Sequence, residues 1–149
     1  MLRHRRRQRA ASQSAGAGLW EFEPGFAFNK PADIVRIHDA VGKDNFGLMY
    51  DTCHGQMVGV VGARQEGEKE VFGNQIELIK LLNGRINHIH VIDSDDTCHK
   101  DANGEDETSA HPPFGLGHLD FDAIMPELLV RDLTAEQLAD LVAFLASLK

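Results

Sequence analysis

Phe46-Gly47-Leu48-Met49-Tyr50-Asp51-Thr52-Cys53-His54 decides how this chain is read. From Phe46 to Tyr50 the run is nearly all apolar, as expected of a parallel strand covered on both faces rather than one with a wet side. It ends on a carboxylate at Asp51, and an imidazole follows three residues later at His54. A parallel strand needs parallel partners, and the flanking sequence supplies them.

Upstream, Leu19 to Glu23 reads as a short strand closed by the turn signal Pro24-Gly25. Pro31 suits the first turn of a helix, Ile34, Ile37 and Val41 give that helix an apolar stripe, and Gly42 is a natural stop. Downstream, Gly55 to Gly73 is Gly-rich, with turns of helix around Met57 to Val61. Ile76, Ile79 and Leu82, or Leu78 and Leu81, mark a helix that stops at Gly84; Ile86 to Ile92 is a third strand, rich in β-branched residues. Strand, helix, strand, helix, strand predicts parallel pairing with right-handed crossovers. The fold class expected is therefore α/β. A complete eight-stranded (β/α) TIM barrel takes about 250 residues, and a chain of 149 allows only a partial one, of about three to four parallel strands with flanking helices.

Beyond the third strand, Asp93 to Gly117 is a long polar loop, of a length that in a compact domain is usually functional or disordered. Asp120 to Leu129 looks helical. Thr134 and Gln137 form a capping box for a last amphipathic helix, lined on one face by Leu138, Leu141, Val142, Leu145 and Leu148. The organisation expected is a disordered Arg-rich head over 1–18, the partial barrel over 19–125 and a C-terminal helical tail over 126–149.

The chemistry sits at the strand ends. Glu23, Asp51 and His90 each fall at or just past the carboxyl end of a strand, where a (β/α) barrel gathers side chains from successive strands on one rim. Carboxylate oxygens suit hard divalent cations, and imidazole suits zinc, manganese or cobalt. Glu21 has the same orientation as Glu23 two residues earlier, so spacing alone does not choose between them. In His88-Ile89-His90, alternation puts both imidazoles on one face and Ile89 on the other, and His90 lies nearer the carboxyl end. The plainer alternatives are two partly buried histidines bonded to backbone, and an Asp51 that merely caps the next segment beside an exposed His54. His111, ahead of Pro112-Pro113-Phe114-Gly115-Leu116-Gly117, holds a polar group over the rim or belongs to an ordinary turn.

Composition excludes several classes. The net charge is −8, and Arg3, Arg5, Arg6, Arg7 and Arg9 lie ahead of the first acidic residue, Glu21, so the body is more acidic still. That argues against general nucleic-acid binding. No apolar run nears the roughly 18 residues of a membrane span. Cys53 and Cys98 give no disulfide framework, and a cytoplasmic location is expected. They lack paired zinc-finger spacing, and neither completes C-x-x-C-H, because Tyr50 and Asp95 stand where the first cysteine would be. Walker, G-x-S-x-G and G-x-G-x-x-G motifs do not occur.

Four stretches in this order, Glu23-Pro24, Phe46 to His54, Ile86 to Asp93 and His111 to Gly117, resemble the xylose-isomerase-like TIM-barrel superfamily over about Leu19 to Ile124. That group holds sugar (phosphate) isomerases and epimerases, inositol-catabolism enzymes and AP endonucleases of the endonuclease IV type. The resemblance implies a divalent metal ion (manganese, cobalt, zinc or magnesium) held by Glu23, Asp51 and His90, with His54 and His111 binding substrate. It implies metal-assisted proton transfer next to the carbonyl of a small sugar or sugar phosphate, with Glu23 as a catalytic acid/base. The group's fourth ligand, a glutamate that is also the second acid/base, has no counterpart here, and no arginine occurs between Arg85 and Arg131 to grip the sugar's far end. Weak activity or a non-catalytic barrel remnant is the corresponding expectation, as is a homodimer that completes the barrel by pairing two halves. The alternative activity is that of a zinc-dependent endonuclease IV-type phosphodiesterase, with His54 and His111 as zinc ligands; the Asp expected two residues before His111 is Ser109. From Met125 onward the chain resembles the closing helix of a c-type cytochrome domain, without the haem motif.

Overall fold

The computed structural model describes residues 18–107 and 111–129, with 139, 143, 144, 146 and 147 of the closing segment. The capping box at Thr134 and Gln137, and Leu138, Leu141, Val142, Leu145 and Leu148, lie outside the described residues. Three strands form one parallel sheet in sequence order: β1 (Gly18–Glu21), β2 (Phe46–Asp51) and β3 (Ile86–His90). Helix α1 (Pro31–Val41) crosses from β1 to β2. Between β2 and β3 come α2 (Thr52–Gln56), a π-helical turn (Met57–Val61) and α3 (Gln75–Leu81). After β3 the chain runs through the long loop to α4 (Phe121–Leu129). The expected α/β, partial-barrel architecture is what the chain adopts: among the described residues, three parallel strands with flanking helices form a sheet that is not closed.

Local signals explain the boundaries. Pro31 opens α1, where a missing N–H costs nothing, and Gly42 closes it in the left-handed region at φ 53°. Asn74 caps α3 by accepting from the Glu77 N–H at 3.2 Å. Strand β3 stops at His90 rather than Ile92 because a side chain takes over the pairing there. The Thr52 hydroxyl donates to the Ile92 carbonyl at 2.5 Å and accepts from the Ile92 N–H at 2.8 Å. Asp39 receives both ends of the Arg85 guanidinium at 3.0 Å, tying α1 to the approach of β3.

The helices cover one face of the sheet. Leu48 and Tyr50 of β2, Phe22, Ile34 of α1, Leu78 and Ile79 of α3 and Ile124 of α4 pack into one core, with Trp20 and Ile86 against it. Each such fully buried aliphatic side chain is worth about 1.5–3 kcal/mol of transfer free energy. Phe22 and Tyr50 meet edge to face with centroids 5.7 Å apart. Alternation sends Leu19, Glu21, Met49 and Asp51 to the other face, which no helix among the described residues covers; Leu19 is 43% exposed there. No helix of the described residues is long and apolar enough to cross a membrane.

The pairing of β2 with β3 contains an irregularity that alternation does not predict. Leu48 pairs with Ile86, but Met49 pairs with His88, Tyr50 with Ile89 and Asp51 with His90. Asn87 is therefore an extra residue, a bulge. Strict alternation would place Ile86, His88 and His90 on a single face. The bulge instead keeps Ile86 with the core and turns both histidines to the open face, the re-aiming role that bulges serve.

Candidate metal centre

Three side chains from three strand ends meet on the open face. His90 Nδ1 lies 3.3 Å from Glu21 Oε1 and 3.9 Å from Asp51 Oδ2. One donor atom from each of Glu21, Asp51 and His90 lies within 4.8 Å of the other two. Donors about 2.0–2.2 Å from a common ion stand about 3–4 Å apart, so this spacing fits a shared divalent cation. Two carboxylates and one imidazole are also a donor set that suits manganese, cobalt, zinc or magnesium rather than a soft ion. The Asp51 side chain is only 3% exposed, against 25% for Glu21 and 44% for His90, so the cluster has one enclosed side and one wet side.

Asp51 divides its carboxylate between two tasks. Oδ1 accepts from the Cys53 N–H at 2.8 Å and the His54 N–H at 3.1 Å, capping α2, while Oδ2 faces His90. The capping reading and the ligand reading of Asp51 are thus compatible. Next to it, the Tyr50 hydroxyl is fully buried, and burial with the nearby Asp51 charge raises its pKa well above the ordinary value. Gly55 makes room for that ring: a Cβ there would run into the Tyr50 hydroxyl.

Of the residues singled out from sequence, Asp51 and His90 come together. The glutamate beside them is Glu21, which pairs with Met49 and so shares its face. Strand β1 ends at Glu21, and Glu23 lies two residues beyond it, just ahead of the Pro24-Gly25 turn and outside the group of converging donors. His54 is buried rather than exposed, at 4% accessibility. Its Nε2 lies 3.2 Å from His111 Nε2 with the rings stacked at 5.2 Å, so the polar loop does fold back over the rim.

The residue that brings the loop back is Asp93, which the sequence reading left without a role. Its buried carboxylate accepts from Ser94 N at 2.9 Å, Gly115 N at 2.8 Å, Gly117 N at 3.0 Å and Leu119 N at 3.3 Å. A Cβ on Gly117 would collide with that carboxylate and with the Ser94 carbonyl. One anionic side chain thus fixes both ends of the segment carrying His111. Its only signal was the Asp directly after a strand, facing a glycine pair at Gly115 and Gly117 across a long loop. A cavity of about 400 Å³ lies apart from this cluster, lined by Gln56, Gln75, His118 and Ile124 among others.

Comparison with known proteins agrees with the architecture. A stretch of 97 residues is 35% identical to the "Probable endonuclease 4" of Mycobacterium ulcerans (strain Agy99) and, at the same identity, to that of Mycobacterium marinum (strain ATCC BAA-535 / M). It makes up 65% of this chain but only 30% of either relative, so the chain spans about a third of their length. No solved structure matches at comparable significance. The model of the family described as "Xylose isomerase-like TIM barrel" matches residues 18–136. Parallel strands, a rim of converging donors and a match over most of the length place this chain in the xylose isomerase-like TIM barrel family.

Proposed function

We propose that the chain binds a divalent cation through Glu21, Asp51 and His90 and serves metal-assisted proton transfer next to the carbonyl of a small sugar or sugar phosphate. The convergence of these three side chains on the open sheet face carries this reading. A cation bound there supplies Lewis-acid polarisation of a carbonyl oxygen. Glu21 and Asp51 hold the cation's charge, and His90 sets the third direction of approach. Glu23, two residues further along the chain and half-buried, stays the candidate proton carrier, and His54 and His111 are the proposed partners of substrate hydroxyls. One carboxylate can move a proton off a carbon but cannot exchange it across both faces of a sugar. A missing acid/base partner costs about 10²–10⁴-fold, so turnover is slow. A second copy of the chain, laid against the uncovered sheet face, is the proposed source of further rim residues.

Metal analysis of the purified chain tests the assignment. Manganese is retained by the parent and by Glu23→Gln, and is lost from Glu21→Gln, Asp51→Ala and His90→Ala. Each loss exceeds the roughly 10–100-fold that changes to groups behind the ligands cost. Equal binding by the parent and by Asp51→Ala and His90→Ala would reject it.

A second reading is zinc-dependent cleavage of a phosphodiester at an abasic site. It is favoured by the face-to-face His54 and His111 and by the name of the two mycobacterial relatives. The net charge of −8 works against a phosphate-binding groove. Incubation of the zinc-loaded chain with an oligonucleotide carrying one abasic site separates the two readings: cleavage there that depends on His54 and His111 supports the second.

A further inference from the structure

The cavity of about 400 Å³ set apart from the Glu21 cluster lies where the segment after β2 meets the starts of α3 and α4. Its volume falls within the roughly 300–1,000 Å³ of small-molecule sites. Val60, Ile76, Leu119, Ala123 and Ile124 give it an apolar lining. The polar part of the lining is held in place. Asp96 accepts from the Gln56 amide at 2.9 Å and faces His118 Nδ1 at 3.3 Å, so one carboxylate ties two lining residues together. Gln75 is anchored as well, its Nε2 donating to the Thr52 carbonyl at 2.5 Å. The other end of that amide is not satisfied: Gln75 Oε1, on a residue only 3% exposed, has no hydrogen-bond partner among the described residues. A buried acceptor without a donor is unfavourable, and on the wall of a cavity a ligand can supply the donor.

We infer that this cavity binds a compact neutral alcohol whose hydroxyl donates to Gln75 Oε1 and whose apolar body lies against Ile76, Leu119 and Ile124. Charge selects against the alternatives. No lysine or arginine lines the cavity among the described residues, and Asp120 adds a carboxylate, so an anion is repelled. A cation meets the positive ends of the α3 and α4 dipoles, and the Asp120 carboxylate already serves the first turn of α4 by accepting from the Ala123 N–H at 3.2 Å. The inference stands whichever reaction the Glu21 cluster serves, because none of that cluster's donors lines the cavity.

Titration of the isotope-labelled full chain with benzyl alcohol, followed by amide chemical shifts, tests this. Saturable shifts are expected at Asn74 to Ile76 and Leu119 to Ile124. Benzyl methyl ether has the same ring but no donor, and should bind about tenfold more weakly. Benzoate and benzylammonium should be weaker than the alcohol. Gln75→Met removes the acceptor and keeps the chain length, so the preference for alcohol over ether should vanish while the ether binds as before. If Gln75→Met fails to fold, Ala123→Leu decides, since it fills the cavity from α4 and should abolish saturation by the alcohol. No saturable change in the parent up to about 10 mM alcohol would overturn the site. Equal binding of ether and alcohol, an alcohol preference that survives in Gln75→Met, or undiminished binding in Ala123→Leu would overturn it too.

Discussion

Gly47→Ala should damage the metal centre although Gly47 carries no donor and lies a full strand away from His90. A Cβ at Gly47 would run into Cγ and Oδ1 of Asn87 and would stand 2.7 Å from Asn87 Cβ. Rotating the Asn87 side chain relieves the first two contacts but not the third, so the backbone of the bulge has to move. Overpacking of this kind costs about 1–3 kcal/mol. With a urea slope near ~2 kcal/mol/M, the unfolding midpoint falls by roughly 0.5–1.5 M. Because the displaced backbone carries His88 and His90, cobalt or manganese affinity at the Glu21 cluster falls as well. Asn87→Gly removes the obstructing side chain, so Gly47→Ala should cost at least about 1 kcal/mol less in that background, a coupling expected only of residues in contact. Urea denaturation of the four variants of this cycle, with metal titration of each, measures both effects. An unchanged midpoint for Gly47→Ala, or an equal cost with and without the Asn87 side chain, would refute the link from Gly47 through the bulge to His90.

Three further outcomes follow from other parts of the structure. Asp93→Ala leaves four backbone N–H groups without their shared acceptor and should cost about 3–5 kcal/mol in urea denaturation, with faster proteolysis of the 93–119 loop; a cost below about 1 kcal/mol would mean that the loop is held by other contacts. Tyr50→Phe removes a buried hydroxyl with no partner among the described residues, so at neutral pH it should be neutral or stabilising by up to about 1 kcal/mol. The same tyrosine has a folded-state pKa raised above the 10.0 of an exposed one. Its contribution is present below about pH 10 and lost as pH rises, so alkaline destabilisation should be weaker in Tyr50→Phe, and identical pH profiles would contradict its burial as the cause. Saturating manganese at 100 times its dissociation constant should stabilise the parent by about 2.7 kcal/mol, seen as a raised melting temperature that EDTA reverses, and His90→Ala should lose this gain.

Much of the fold can be read from residue order because buried parallel strands and glycine-stopped helices leave strong local marks. Phe46 to Tyr50 and the Pro31-to-Gly42 segment are of this kind. Asp51 and His90 are legible for the same reason, since a donor at a strand's carboxyl end has a defined place on a barrel rim. The choice of glutamate is less so. It depends on whether β1 ends at Glu21 or continues to Glu23, and alternation gives the two residues one orientation. The bulge at Asn87 has no composition signal of its own; only the steric need for a side-chain-free Gly47 opposite it explains why these two residue types occur together. The role of Asp93 depends on contacts across more than twenty residues of loop, beyond the reach of any periodicity.

The two-handed Asp51 carboxylate has a thermodynamic consequence. One oxygen fastens the first turn after β2 and the other turns to His90, so cation occupancy and the order of residues 52–61 draw on a single group. Linkage between two such equilibria is reciprocal: whatever ordering the ion confers on this segment, the segment returns as affinity for the ion. A substitution anywhere along Thr52 to Val61 that loosens the turn should therefore register as a weaker cation complex, without touching a single donor atom.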